Sequence, residues 1–505
     1  MRAKNTVKNA AAGIGFIFVT VLFGIITRRA VVYVLGVKYQ GIDGLFTNVI
    51  SMLSVAELGL GTAIISNLYQ PISENDQRTI ASLMSFYRKC YRVIAVVILL
   101  LGLAIIPALP WMIKDYDLPY PVAAIYLWYL ADSVCSYLLS YRRSLFIADQ
   151  KNYVVLLFDM AYTVVSNVLQ IILLYQTKNF IVFLAVMVIA RAAENAVLHR
   201  YASRSYPYLD SRNVSKLTET TLSEIGKKVN GAVFHKIGGF VVLGTDNILI
   251  SKFLGLAAAG IYSNYYLIIR SIQSICTKVI SASTASVGNL LTRHDPKENR
   301  KVFSELTILN LLLAGSAGCG FFCVATPVVE LVFGKDLILD RFTLLVLAIN
   351  LFVRCMREVY ISFKEAAGIF YEDRFAPLIE SLVNIVASLL FMKTFGLAGV
   401  FIGTIVSSLI LYLYTYPTYV CRDLLGISYS DYFKEMLWHL LAFALALFLS
   451  EMVCGLVNGM NLWVQIALKT VLSASVSLGV ILVVYCVWKK EFYSLIHRLI
   501  QLVKK

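Results

Sequence analysis

The sequence predicts an all-α integral membrane protein of about fourteen transmembrane helices, in two pseudo-symmetric six-helix lobes plus a C-terminal helix pair. Three observations predict it. Of the 505 residues, 59% are hydrophobic and only 15% charged, against ~45–50% and ~25% in soluble domains, and the mean hydropathy is +0.75. Apolar runs of about 20 residues, the length that crosses a hydrocarbon core of ~30 Å, recur from end to end. Lys and Arg are abundant in every second loop and scarce in the others. Lipid bilayer is therefore the solvent, which excludes a soluble enzyme, a disulfide-stapled secreted module and a disordered scaffold. A net charge of +15 suggests nucleic acid in a soluble protein; here it reports topology, and no nucleic-acid partner is expected.

The expected spans are 10–35, 42–66, 91–113, 121–141, 153–175, 179–199, 231–254, 257–280, 303–328, 342–363, 375–395, 397–420, 435–457 and 461–488. The first follows a basic stretch, Met1–Asn9, as a signal peptide would. Its long apolar run continues into Arg28-Arg29 without a small-residue cleavage site, so it reads as a helix. In the second span, Glu57 precedes Gly59 and Gly61, where a bend is expected. In the ninth, Gly315, Gly318 and Gly320 weaken the helix. The longest hydrophilic segment, Arg200–Asn230, separates the sixth and seventh spans. The expected organisation is an N-terminal lobe 1–205, a cytoplasmic linker 206–230, a second lobe 231–420, and helices 13 and 14 with a tail over 421–505.

Fourteen spans put both termini on one side. At loops and helix ends, 29 of the 45 Lys and Arg lie on that side, 6 lie opposite (Lys38, Lys114, Lys178, Lys335, Arg341 and Lys393), and 10 lie within spans. The bias places both termini in the cytoplasm. The halves also echo each other: Leu35-Gly36-x4-Gly41-Ile42 and Leu254-Gly255-x4-Gly260-Ile261 occupy equivalent turns, 219 residues apart. Internal duplication of this kind marks secondary transporters. The same string would also serve simply as a tight turn between membrane helices.

The nine cysteines lie mostly in apolar runs and form no CxxC; Cys319 and Cys323 have helical spacing but no neighbouring His or acid, and read as small buried hydrophobes. The five histidines form no HxxxH. No metal or other cofactor is expected, and without a GxxxxGK[ST] loop an ATP-driven exporter is disfavoured.

Three segments carry a family resemblance. "AELGLGTAIISNLYQPI" (Ala56–Ile72), followed by "FYRKCYR" (Phe86–Arg92), resembles the second-helix region of bacterial oligosaccharide flippases. "TDNILISKFLGLAAAGIYSNYYLII" (Thr245–Ile269) resembles their seventh-to-eighth hairpin, and "FGLAGVFIGT" (Phe395–Thr404) their eleventh-to-twelfth turn. The resemblance implies the multidrug/oligosaccharidyl-lipid/polysaccharide exporter fold. It implies a bacterial cytoplasmic-membrane protein that moves undecaprenyl-pyrophosphate-linked oligosaccharide repeat units from inner to outer leaflet by alternating access, for O-antigen, capsule or exopolysaccharide assembly. A coupling ion (H⁺ or Na⁺) and the polysaccharide polymerase machinery would be its further partners. In the related lipid II flippases, cavity arginines from the first, second and eighth helices serve the pyrophosphate. This chain has Arg28 and Arg29 on the first and Arg270 on the eighth, but Glu57 on the second.

A charge at the bilayer centre costs ~3 kcal/mol on insertion scales, so it faces a cavity or a partner. Arg270, about fourteen residues into its span, lies ~20 Å from the external turn, and its planar fork suits a pyrophosphate; a pair with Asp246 is the structural alternative. Arg28 and Arg29 point ~100° apart, so only one can face a cavity squarely. Glu57, Asp132 and Asp159 are candidates for ion coupling or charge balance, each with a structural pairing as the alternative. Arg354, Arg357 and Glu358 share a helix face and read as a structural network. Glu451 and Lys469, at nearly matched depths in the last helix pair, are expected to form an ion pair.

Arginines on the first and eighth helices favour an anionic cargo over the acid-dominated cavity of a cation-coupled multidrug exporter. A membrane polymerase or ligase would need catalytic groups on a large external loop, and all the expected external loops are short, so no enzymatic activity is expected. Reporter fusions after Arg92, Asn230, Arg422 and Lys505 should read cytoplasmic, and fusions near Lys114 and Lys335 external; an external signal at Asn230 would break the matched orientation of the halves.

Overall fold

Helix starts are set by side chains that satisfy orphan amides. Asp76 accepts from the amides of Arg78 and Thr79, Asn179 from Ile181 and Val182, Asp295 from Lys297 and Glu298, and Asp340 from Thr343. The bond from the Thr79 hydroxyl, with the two amide bonds, holds the exposed Asp76 carboxyl below its ordinary pKa. Helices stop at left-handed or otherwise positive-φ glycines, among them Gly36, Gly255, Gly334 and Gly368.

The computed structural model describes residues 2–53, 57, 60–114, 116–210, 245–292, 295–369 and 372–488. The chain divides into two compact units, Met1–Ser263 and Asn264–Lys505. In the first, α1 (Arg2–Leu35), α2 (Val37–Leu53), α3 (Leu60–Ser73), α4 (Gln77–Ile105), α5 (Val122–Leu139), α6 (Tyr141–Ala148), α7 (Asn152–Thr177) and α8 (Phe180–Ser205) succeed one another. A π-helical turn, Ile250–Leu254, then leads into α9 (Leu256–Ser281), within which the unit boundary falls. α1 packs on α7, α7 on α8, and α5 on both α4 and α8. The core carries Phe46 edge-on to Tyr126 and Tyr129, with Ile42, Leu45, Tyr87 and Tyr91 buried around them.

In the second unit follow α10 (Thr284–Leu291), α11 (Pro296–Phe333), α12 (Arg341–Ala367), α13 (Ala376–Phe395), α14 (Leu397–Ile410, continuing π-helical to Leu424), α15 (Tyr429–Gly455) and α16 (Leu462–Trp488). α11 is unbroken over 38 residues. The glycines that weaken it on propensity are where its partners dock: a Cβ on Gly315 would sit 2.5 Å from Ile481 of α16, and one on Gly318 2.8 Å from the Phe443 ring of α15. Phe443 in turn stacks on Phe352 of α12 at 3.9 Å.

Among the described residues nine helices are long and apolar enough to cross a membrane. The count is ten if Val122–Leu138 and Tyr141–Ala148, bent by 48°, form one broken span. The protein is thus an all-α multi-pass membrane protein. With the bent pair counted, four of the fourteen expected spans are not among these. The second is two helices, α2 and α3, with most of the intervening residues, including Gly59, outside the described ones. The seventh falls largely outside them, as does the expected linker. α9 is rich in Tyr, Ser and Asn, and α12 carries Arg354, Arg357 and Glu358 in its middle.

The repeated LGxxxxGI strings meet within the first unit. Gly36 and Gly255 both break the backbone at positive φ, +100° and +90°. A Cβ on Gly41 would lie 2.0 Å from the Leu256 carbonyl oxygen, and one on Gly260 2.2 Å from that of Val37. Each string therefore seats its second glycine on the backbone that follows the other's first glycine. Gly41→Ala should cost ~1–3 kcal/mol of overpacking and lower the yield and melting temperature of detergent-extracted protein. Gly13→Ala, with open space around it, should leave both unchanged; equal tolerance at both positions would show that the contact does not form.

Candidate functional site

Arg28 lies on α1 about two turns before its end at Leu35. It is half-buried and donates to the carbonyl oxygen of Ser263 and, at 2.9 Å, to its hydroxyl. Asp43 of α2 accepts from Tyr129 of α5 at 2.7 Å and from Gln40 at 3.3 Å. Arg29 is exposed, so the rotation between neighbours turns one arginine inward and the other out. Glu57 accepts from the Tyr91 hydroxyl at 3.0 Å and from Tyr137 at 3.5 Å, which gives it neutral donors.

One turn beyond Tyr129 on α5, Asp132 opens an ion network that spans α5 to α8. Arg143 of α6 pairs with Asp159 of α7 through one nitrogen and, at 2.5 Å, with Glu194 of α8 through another. Arg191 donates at 3.0 Å to the second oxygen of Glu194, and its guanidinium lies 3.8 Å from the centre of the Tyr162 ring. Asp132 stands 3.5 Å from Nε of Arg191, too long for a hydrogen bond, and its buried Oδ1 accepts none. Three carboxylates thus share two guanidiniums. The network supplies structural partners to both Asp132 and Asp159 and serves Asp132 least.

Sequence reasoning singles out the two aspartates and misses Arg143, Arg191 and Glu194. Arg143 follows the α5–α6 bend and reads as a loop charge, as does the wholly buried Arg142, which donates to the His199 carbonyl and the Ser203 hydroxyl. The i,i+3 spacing of Arg191 and Glu194 is the signal that could have found them.

Asp246 is buried in the first unit. In the second, Arg270 is exposed on α9 and has no partner in that unit among the described residues. Arg357 makes a two-pronged bond to Glu380, at 2.8 and 3.2 Å, and donates to the Tyr416 hydroxyl. Glu358 accepts from Thr277, and Arg354 donates to Asn350. The face-sharing trio is structural, as its spacing suggests, but each member reaches a different partner.

The expected Glu451–Lys469 pair does not form. Glu451 pairs with Arg341, at the start of α12, and the Lys469 ammonium donates at 2.7 Å to Asn458. Matched depth places the two at one level, but Arg341 comes from a third helix that depth along the chain does not register. Both residues line a cavity of about 420 Å³ between the ends of α11, α12, α15 and α16.

Removing one member of a buried ion network leaves the others uncompensated, at a cost of ~3–5 kcal/mol. Glu194→Gln should therefore lower the melting temperature more than Asp132→Asn, whose carboxylate makes only the 3.5 Å contact. The reverse order would contradict the network.

The family model described as "Polysaccharide biosynthesis protein" matches residues 32–338. No curated protein sequence matches the chain. Among solved structures, the chain is similar to the lipid II flippase MurJ in an inward closed conformation, with TM-score 0.64 and 13% identity over 95% of this chain and 99% of that one. It is similar to the Vibrio cholerae MATE transporter VcmN in its bent form, at 0.52 and 16% over 81% and 94%. It is also similar to a MOP superfamily transporter from Pyrococcus furiosus, at 0.53 and 14% over 81% and 93%. At these identities the likeness is one of fold, that of the MOP transporters. With more than half its length matched by the family model, the chain belongs to the polysaccharide biosynthesis protein family.

Proposed function

We propose that this protein is a flippase that moves undecaprenyl-pyrophosphate-linked oligosaccharide repeat units across a bacterial cytoplasmic membrane, as a step in surface polysaccharide assembly. The observation that carries the reading is the coincidence of a polysaccharide-biosynthesis family with a fold that covers 99% of a lipid II flippase. In this reading the chain crosses the membrane fourteen times with both termini in the cytoplasm. Two six-helix lobes alternate access to the cargo, and the last helix pair accompanies them. α12 crosses despite its charged residues because they turn to protein partners, as Arg357 does to Glu380, and α9 crosses with Asn264 buried within the protein.

Arg28 and Arg270 are the proposed pyrophosphate ligands, since guanidinium makes paired, charge-assisted bonds to phosphate oxygens; Arg29 is a helix-end anchor. Coupling falls to the network of α5–α8. Its surplus carboxylate, Asp132, can take a proton to neutralise the cluster, whereas two guanidiniums at hand repel a sodium ion. Asp246 and Glu57 then balance charge locally, and Asp159 remains bound to Arg143.

Deletion of the gene, in a strain without a second flippase, should abolish surface glycan and leave lipid-linked repeat units facing the cytoplasm. Unchanged glycan with new sensitivity to cationic dyes would favour a multidrug exporter instead, a reading that the surplus acid also suits. Supplied to the deletion strain, Asp132→Asn should reach the membrane but restore little glycan, because a neutral amide cannot cycle a proton; full complementation would remove Asp132 from coupling. Arg28→Ala should likewise express but fail to complement.

A further inference from the structure

The cavity beside the last helix pair has no part in the cargo path proposed above, and one of its cations has no ion-pair partner. Four charged residues line it: Glu330, Arg341, Glu451 and Lys469. Glu451 is taken by Arg341, and Glu330 lies 3.6 Å from Lys335 at the rim. That leaves Lys469. It sits eight residues into a membrane helix and is only 9% exposed. Its ammonium carries three donors, and the bond to Asn458 Oδ1 uses one. No carboxylate lies within ion-pair distance of it among the described residues. A buried ammonium without a counter-ion is costly to keep, and this one turns toward the Asn458 turn and the cavity.

The cavity has the size of a ligand site, about 420 Å³ against ~300–1,000 Å³ for small-molecule pockets. In the topology proposed above, its mouth lies at the external ends of the membrane helices. Leu456 and Trp463, on either side of the turn, are 81% and 69% exposed, and Trp is the kind of anchor that marks a membrane interface. Arg341 and Lys335 stand exposed at the rim. Phosphate is the oxyanion that this layer holds in quantity.

We propose that the cavity between the ends of α11, α12, α15 and α16 binds a phosphate group, with Lys469 as its buried cation and Arg341 at the entrance. The group comes either from a phospholipid headgroup or from free phosphate. A headgroup held there would tie the terminal helix pair to the lipid around it. The proposal does not depend on what the protein transports.

The test uses the full chain in nanodiscs of digalactosyldiacylglycerol, a lipid without phosphorus. One arm titrates inorganic phosphate against chloride at constant ionic strength; the other replaces a fifth of the lipid with phosphatidylglycerol. Binding to the folded state should raise the melting temperature saturably, by roughly 2–4 °C. A rise in the lipid arm alone assigns a headgroup, and a rise with inorganic phosphate assigns the free ion. Lys469→Gln should abolish the rise and Lys469→Arg should keep most of it. Should Lys469→Gln fail to fold, phosphorus bound per wild-type protein, measured after washing in the galactolipid, decides: about one per chain supports the site and none overturns it. No rise in either arm, or an undiminished rise in Lys469→Gln, would also overturn it.

Discussion

Glu194 accepts Arg143 on one oxygen, which ties α6 to α8 inside the first unit, and Arg191 of its own helix on the other. Arg143 extends the tie to α7 through Asp159, and Arg191 extends it to α5 through Asp132. In hydrocarbon each of these charges would cost several kcal/mol alone, so the helices cannot separate without exposing them. The second unit repeats the solution, with Arg357 forked onto Glu380 and capped by Tyr416, and Lys364 paired with the buried Asp373. Packing between membrane helices is otherwise a matter of dispersion and close approach. That role falls to the glycines at Gly41, Gly260, Gly315 and Gly318, each seated against a neighbouring backbone or side chain.

Such an arrangement is stable where the charges cancel and responsive where they do not. Around Glu194 the count of three acids to two guanidiniums leaves Asp132 with a single long contact. In the proposed mechanism that imbalance is the place where a proton can enter and alter how firmly α5 is bound to α8. The Arg28 group is built differently: its guanidinium donates to the carbonyl and hydroxyl oxygens of Ser263.

Hydropathy makes most of the fold legible, because a helix that meets lipid must be apolar over its whole crossing. It is least informative for α12, whose charged residues are supplied with partners by the protein, and for α9, whose Tyr, Ser and Asn lower its hydropathy; composition cannot say which face a residue will turn. The LGxxxxGI echo is visible as a string, but that each copy seats its glycine on the other's backbone needs three dimensions. Asp132 and Asp159 stand out as acids within apolar runs. Their arginines do not, since Arg143 lies on a short helix after a bend and Arg191, near the middle of α8, gains meaning only with Glu194 three residues on. The last pair fails for a related reason: equal depth makes Glu451 and Lys469 plausible partners, while Arg341 reaches Glu451 from another helix altogether.

The central claim is that the chain itself carries a lipid-linked glycan through the membrane. Purified protein can be reconstituted into vesicles that contain undecaprenyl-pyrophosphate-linked sugar, with a membrane-impermeant glycosidase added outside. A step to acid on one side should speed the appearance of sugar in the outer leaflet well above the rate in empty vesicles. Equal rates with and without the protein, in vesicles where it is shown to be folded and inserted, would contradict the account.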